Sequence, residues 1–523
     1  MVLMEYIFKG LRKSIYDNEP LRLTLAHRLD LPDIDRVTVM RESIDARRKP
    51  NIYYVYNLRF TVPRTGARLQ QLLSEGVISP DAPKPLPDPE PRLTLPGRPI
   101  IVGFGPAGMF AGLHLARLGY RPIIFERGEP VGDRVQAVNR LWTEGVLDPE
   151  SNMQFGEGGA GTFSDGKLTT GKASPLDRLI LEAFVEAGAP ETVLFHHRPH
   201  IGTDHLRRVV VNLRKQIVAR GGEVHFGHKL TALQLKDGAV EAITVSAQRI
   251  PTRCVILAIG HSARDTVEML YAKGVALEPK PFAIGARIEH PAEFINEIQY
   301  GKKGAAVLPA ADYKLTHRNR DTGIYSFCVC PGGQVVCAAS ELEGLVTNGI
   351  SRYARDEAWS NSAIVVGVDP AKLGISSPLE AIEYQRSLER RAFEMGGGGY
   401  VAPAQRAADF LSDETPHDIG ETTYRPGVVA APLSEALPDS VVKAMKAGLR
   451  RFDRIMPGFV EKGVLIAPET RTSSPVRILR DVDCRSISTE GLYLLGEGAG
   501  YAGGIMTCAR DAVRFARLVQ PRE

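Results

Sequence analysis

Gly103-Phe104-Gly105-Pro106-Ala107-Gly108 constrains this chain more than any other stretch. It sits between an apolar run, RPIIVGFG, and a helical pattern, MFAGLHLARLG, which leads to a second apolar run ending in charge, YRPIIFERG. The order strand, glycine turn, helix, strand is a βαβ unit. The first glycine permits the tight turn, the second lets the backbone approach a pyrophosphate, and Gly108 allows close helix–strand packing. The helix start turns free amides and partial positive charge toward an anion. Glu126 ends the second strand and is followed by Arg127; its carboxylate is placed to accept bonds from ribose hydroxyls. The fold class is therefore α/β with a Rossmann-type dinucleotide-binding domain.

Two more segments say which dinucleotide. Late in the chain, GLYLL leads into Gly496-Glu497-Gly498-Ala499-Gly500-Tyr501-Ala502-Gly503-Gly504-Ile505 and then the helical MTCARDAVRFARLV. This resembles the C-terminal flavin motif of the glutathione-reductase-like superfamily, where an acidic residue holds the ribitol chain and the next helix points at the flavin pyrimidine. Here Glu497 stands where Asp is commoner. Thr252-Arg-Cys-Val-Ile-Leu-Ala258-Ile259-Gly260 resembles the strand that returns the chain to the nucleotide sheet. It follows a meander in which, by the same resemblance, the backbone of Leu230 meets the adenine. The resemblance implies non-covalent FAD.

A narrower likeness covers nearly the whole length. RESIDARRK (41–49), FGEGGAGTFSDGKL (155–168), RPHIGTD (198–204), YSFCVCPGG (325–333), ETRTSSPVRILRD (469–481) and GEGAGYAGGI (496–505) carry it. The chain resembles the FAD-dependent dehydrogenase family of bacteria and plastids, related to the HI0933-like flavoproteins. The resemblance implies a glutathione-reductase-like FAD-binding domain with an inserted α+β substrate domain and a small N-terminal α+β domain. Gly159 and Gly161 belong to a loop with exposed amides and no Cβ atoms, suited to lying against an isoalloxazine or pyrophosphate. Arg134 resembles the superfamily's phosphate-side arginine.

Length and composition set the division. At 523 residues, 43% hydrophobic and 24% charged, the chain exceeds one ordinary core. Eight prolines in Ser79–Pro99 mark an extended linker. The boundaries read as 1–78 for a small basic domain, 79–98 for the linker, 99–280 and 466–523 for the FAD-binding domain, and 281–465 for the insertion. Residues 1–80 carry 13 Lys+Arg against 9 Asp+Glu, which is the whole net excess of +4. That excess is too modest to call for nucleic acid. No stretch approaches the roughly 20 apolar residues of a membrane span, and no signal peptide is evident, so cytoplasm is the default. The six cysteines form neither a secreted disulfide framework nor a CxxC pair.

The expected chemistry is hydride transfer between flavin N5 and a small organic substrate. No second dinucleotide fingerprint follows the first, so NAD(P)H enters as a transient reductant in the substrate cavity, or electrons come from a quinone or a protein carrier. Catalytic residues are not evident. His196, His197, His200 and His205 fit no standard metal-ligand spacing; His200 is the better candidate for a proton donor, against a structural role. Cys328 and Cys330 fall on one face of a strand and read as packing or as a redox pair. Arg471 is open between gripping a substrate anion and bridging to Glu469 or Asp481. A flavin-dependent RNA-modifying protein using the basic N-terminal domain, and a protein keeping FAD only as a structural ligand, are the rival readings.

Overall fold

Five short aliphatic runs form one parallel sheet in the order Leu492–Leu494, Val255–Leu257, Ile100–Val102, Ile123–Phe125, Glu223–His225. Successive side chains of a strand point to opposite faces, and here both faces are covered. Ile101, Ile124, Ile256 and Tyr493 pack under the helices Pro106–Arg117, Thr203–Val218 and Ile505–Ala516. Ile100, Val102, Phe125, Val255, Leu257, Leu492 and Leu494 pack against the antiparallel meander Leu230–Lys236, Ala239–Val245, Gln248–Pro251. Two-sided burial explains why these strands read as continuous apolar runs rather than alternating ones. The computed structural model describes residues 4–63, 66–82, 86, 88–318 and 322–522.

The insertion is built on a seven-stranded sheet, ordered Thr316–Arg318, Gly323–Cys330, Trp359–Val368, Phe282–Pro291, Val464–Glu469, Ala402–Arg406, Val428–Ala430. Val464–Glu469 pairs along Phe282–Pro291, so the boundary expected at 465 is corrected to beyond Glu469: the strand buries every residue in the inserted sheet. The helix Pro378–Met395 starts at a capping box, with Ser377 accepting from the first-turn backbone and Glu380 reaching back. Asp439–Ile455 buries Val441, Met445, Leu449 and Phe452 in the core beneath the sheet, which gives its amphipathic face a packing role. Leu277–Pro279 pairs with Val476–Ile478 where the chain enters and leaves the insertion.

The N-terminal unit is a four-stranded antiparallel sheet, Val37–Asp45, Tyr53–Thr61, Glu5–Ser14, Ile78–Pro80, with helices Leu21–Leu29 and Ala67–Ser74 on its apolar face. The proline-rich segment ends by docking: Arg92 and Leu93 both donate to the Leu518 carbonyl, and Leu93 and Leu95 are buried. Part of that segment lies outside the described residues.

Candidate functional site: one cavity shared by three units

Glycines bring the distant motifs into contact. A Cβ on Gly103, whose φ is +98°, would run into the carbonyl oxygen of Ala258. One on Gly159 would lie 2.9 Å from Gly105 Cα, one on Gly496 2.7 Å from the Ala107 Cβ, and one on Gly498 2.7 Å from the Gly260 oxygen. Gly161 faces Ile505 and Pro106. Four pieces of chain, spread from residue 103 to residue 505, therefore touch at their glycines, where only a missing side chain permits the approach.

They floor a cavity of about 1200 Å³. This exceeds the roughly 300–1,000 Å³ of a single small-ligand pocket, so a dinucleotide fits with room for a second molecule. Gly103, Gly105, Pro106, Ala107, Glu126, Arg127, Gly159, Gly161, Leu230, Ala258, Gly260, Glu497, Gly503, Gly504 and Ile505 all line it. The helices Pro106–Arg117 and Ile505–Ala516 both begin at its wall. Their first-turn amides lack intrahelical partners and suit an anion or an electron-rich ring.

Three expected site residues lie elsewhere. Gly108 and Gly496 sit under the floor: a Cβ on Gly108 would overlap the Gly103 carbonyl oxygen, and the Gly496 N–H donates to Asp511 at 2.8 Å. Arg134 is corrected from a phosphate contact to a loop strut. Fully buried, it gives four of its five N–H groups to the carbonyls of Asn152, Glu157, Met153 and Gly159 at 2.7–2.9 Å, and it does not line the cavity. Burial lowers its pKa to about 9. It shapes the glycine-rich loop from behind.

Two carboxylates stand at the glycine-floored end. Glu126 accepts the backbone N–H groups of Phe104 (2.8 Å), Gly128 (3.0 Å) and Gly156 (2.8 Å). A carboxylate offers about four acceptor positions, which leaves one for a ribose hydroxyl. Glu497 is different. Among the described residues, the one hydrogen bond to its carboxylate comes from the Gly504 N–H, at 3.5 Å. Burial pushes its carboxyl up to about 7, against the pull of that N–H and of Lys280. A carboxylate poorly satisfied at a cavity wall fits the hydroxyls of a polyol. A folded-state pKa raised above the ordinary value means stability present in acid and lost as pH rises through about 7. Glu497→Gln is therefore expected to stabilise the flavin-free protein above pH 7 and leave it unchanged in acid. Discounted for water in the cavity, the gain is about 1–2 kcal/mol. Thermal melts from pH 5 to 8 read it; parallel melting curves for parent and variant would refute the assignment.

The opposite end is walled by the inserted sheet and the N-terminal unit. Tyr325, Phe327 and Cys328 line it from the sheet, Asn348 from the separate two-stranded pair Gly333–Cys337 and Thr347–Ser351, and Met40 and Arg41 from the N-terminal strand Val37–Asp45. That strand is held in place by Glu42, which exchanges backbone hydrogen bonds with Phe195 and His197 at 2.8 Å. The small domain thus closes part of the cavity. Nothing in its sequence signalled this, because the contact is made through backbone groups.

Charged groups that sequence reasoning passed over also gather here. Asp165 is fully buried and accepts from Lys167 (2.5 Å), Arg355 (2.7 Å) and Ser351 (2.7 Å). Burial would raise its carboxyl, but the two cations outweigh that and hold it below the usual range. Asp165 and Lys167 sat inside the quoted glycine-rich segment, so their charge in an apolar setting was the available signal. His261 lines the cavity beside Gly260, its Nδ1 2.9 Å from the Ser262 hydroxyl. Burial, with Arg471 and Arg264 nearby, lowers its pKa to about 3, so the ring is neutral.

The other candidates resolve individually. His200 does not line the cavity. It stacks on Tyr353, bonds the Tyr353 carbonyl at 3.0 Å, and is driven down to about 4 by burial and Arg355, so it is no donor to a ligand there. His196 pairs with Glu42 and His197 with Arg41. Arg471 bridges neither Glu469 nor Asp481. Its guanidinium is spent on Glu389 (2.7 Å) and Glu341 (3.3 Å), while Glu469 pairs with buried Arg287 at 2.8 Å.

A family model described as "FAD-dependent protein, C-terminal domain-like" matches residues 281–472, and a domain of unknown function (DUF8436) matches residues 11–61. Among solved structures, the chain is similar to halogenase PltM (12% identity, 80% of this chain and 68% of that one, TM-score 0.37). It is also similar to glycine oxidase from Geobacillus kaustophilus (12%, 81% and 94%, TM-score 0.34). An uncharacterized protein of Clostridium beijerinckii is 45% identical over 493 residues, covering 93% of this chain and 92% of its own. Two chains so alike over nearly their full lengths share one ancestry and one fold, and this chain belongs to the family of the Clostridium beijerinckii protein.

Proposed function

We propose that this chain is an FAD-dependent oxidoreductase of the glutathione-reductase-like kind, acting on a small organic substrate. The observation that carries the reading is the single cavity. One end is a glycine floor with two helix starts and two carboxylates; the other is an aromatic and charged wall on the inserted sheet.

The residues of the first end fit FAD. The amides at Gly105–Ala107 and the loop at Gly159–Gly161 would hold the pyrophosphate, Glu126 the adenosine ribose, Leu230 the adenine edge and Glu497 the ribityl hydroxyls. The start of Ile505–Ala516 would face the pyrimidine edge of the ring. Bound there without a covalent link, the flavin supplies two-electron transfer at its ring nitrogen. The chain's own part is to bind, orient and exclude water. Tyr325 and Phe327 offer faces for a planar or apolar substrate. Arg41 and Lys314 add positive charge at the same end, which favours an anionic group. The neutral His261 ring next to Gly260 is placed to hold a hydrogen bond without adding charge. Electrons enter through NAD(P)H in the substrate space, or from a quinone or protein carrier.

The test is direct. Purified protein is expected to be yellow and to release one FAD per chain on denaturation, identified by chromatography. Anaerobic mixing with NADH and with NADPH then distinguishes a pyridine-nucleotide donor from a substrate-driven dehydrogenase. A colourless protein that takes up no FAD on reconstitution would sink the reading.

A further inference from the structure

At the substrate end, the strand Gly323–Cys330 departs from its pairing. Phe327 faces Ala363 and Cys330 faces Asn361, so three steps on one strand oppose two on its neighbour. One extra residue makes a β-bulge. Cys328 sits in it at φ +46°, in the left-handed region that few side chains adopt without cause. Such outliers gather at functional sites. The bend changes what the two cysteines can do. In a regular strand an i, i+2 pair is poorly set for a bond between sulfurs. Here the Cys330 thiol turns back and donates to the Cys328 carbonyl oxygen at 3.4 Å, which keeps it on the side of the strand where the bulge places Cys328. Cys328 is half-buried and lines the cavity; Cys330 is buried behind it.

Two cations flank the pair. Lys167 donates to the carbonyl of Val329, the residue between the cysteines, and to Asp165. Arg287 donates to the Cys328 carbonyl at 3.0 Å. The Cys330 thiol, Lys167 and Arg287 together hold the Cys328 thiol below its ordinary range against burial, while Cys330 is pushed well above it. One sulfur is thus prepared as the thiolate and its neighbour keeps its proton, the division of labour that thiol–disulfide chemistry uses. The remaining cysteines lack this setting: burial raises Cys254 to about 12 and Cys337 to about 11, and also raises Cys484 and Cys508.

We propose that Cys328 and Cys330 are a redox-active dithiol that exchanges two electrons with the flavin of the same cavity, a proposal that rests on the FAD reading above. In one direction the Cys328 thiolate bonds to the Cys330 sulfur and the Cys330 S–H bond breaks; the electron pair and that one proton would pass to the oxidised flavin, giving its anionic dihydro form. In the other direction two electrons and one proton would return from the flavin, and the S–S bond would open to the Cys328 thiolate and the Cys330 thiol.

The experiment uses the purified, flavin-containing wild-type chain. It is treated with diamide, freed of reagent, denatured and assayed for thiols with Ellman's reagent, and its peptides are mapped. The count is expected to fall from six to four, with one peptide holding Cys328 and Cys330 lighter by two hydrogens. The flavin is then photoreduced anaerobically in the dithiol and disulfide forms. The disulfide form is expected to reoxidise its flavin at least tenfold faster and to regain two thiols. Near neutral pH, iodoacetamide is expected to label Cys328 first and abolish the difference. A yellow protein that keeps six thiols, or whose two forms reoxidise alike, overturns the exchange and leaves the FAD reading intact. A colourless protein overturns both, whatever its thiol count.

Discussion

Replacing Glu389 with alanine is expected to cost about 3–5 kcal/mol of folding stability. Glu389 is 1% exposed and lies on the helix Pro378–Met395 of the insertion. Its carboxylate accepts both terminal nitrogens of Arg264 at 2.8 Å, two nitrogens of Arg471 at 2.7 and 3.1 Å, and the Thr470 hydroxyl at 2.7 Å. Arg264 opens a helix of the domain built on the five-stranded parallel sheet, and Arg471 lies on the segment returning to that domain. One buried carboxylate thus ties the insertion to both of its connections. Without it, Arg264 and Arg471 would keep one carboxylate between them, Glu341, which the more exposed Arg386 also uses beside its own pair with Glu268. The loss comes from uncompensated buried charge, so it exceeds what an ordinary surface ion pair is worth.

The pH dependence has a definite sign. Burial raises the Glu389 carboxyl, but Arg264 and Arg471 outweigh it and hold the group far below its ordinary value of 4.5. A depressed folded-state pKa contributes stability in full above that ordinary value and loses it as pH falls toward the folded value. The gap between parent and Glu389→Ala should therefore be constant from neutrality down to about pH 5 and narrow in stronger acid. Trp142 donates to the Cys337 carbonyl of the insertion, and Trp359 opens the inserted strand Trp359–Val368, so both report on the packing of the insertion. Denaturant titration followed by tryptophan fluorescence therefore reads it. A shift worth under about 1 kcal/mol at neutral pH would mean the network is not the tie described.

The sequence made the glycine-floored end of the cavity legible because its constraints are local. A positive-φ glycine, a helix start and a strand of three aliphatics carry their own signatures, and Gly103, Ala258 and Glu497 line one cavity. The strand Tyr53–Thr61 of the small N-terminal unit carries a local signal too, burying Tyr56, Leu58 and Phe60 at alternate positions. The substrate end was not, for three physical reasons. Its sheet is assembled non-locally: Val464–Glu469 completes it beside Phe282–Pro291 after a long excursion, and no local period reports that pairing. Arginine is ambiguous on its own, since Arg134 and Arg471 could serve a ligand or the fold, and only the carbonyls and carboxylates around them decide. Finally, one extra residue at Cys328 breaks the two-residue alternation from which the placement of Cys330 was read.

Gly105→Val is expected to lower FAD affinity by at least about 100-fold, or about 3 kcal/mol, with little change in the melting temperature of the flavin-free protein. The contrast with Gly103 explains why. Gly103 lies at φ +98° against the Ala258 carbonyl oxygen, so any side chain there strains the backbone and collides with a strand. Gly103→Ala should unfold the domain and say nothing about ligands. Gly105 has φ −79°, which every residue adopts, and an added Cβ would meet only Gly159 Cα, at 3.7 Å. The fold therefore tolerates bulk at 105. What bulk removes is the close approach between the cavity floor and whatever lies on it, and the second glycine of the turn exists to permit that approach to a pyrophosphate. Valine's branches have room only toward the cavity or toward the Gly159 loop, the two surfaces that would clasp the phosphates. Flavin content after reconstitution, set beside the melting temperature of the stripped protein, separates the outcomes. If Gly105→Val binds FAD like the parent, the pyrophosphate does not cross this turn and the assignment of the cavity floor fails; if it melts as early as Gly103→Ala, the second glycine serves the fold.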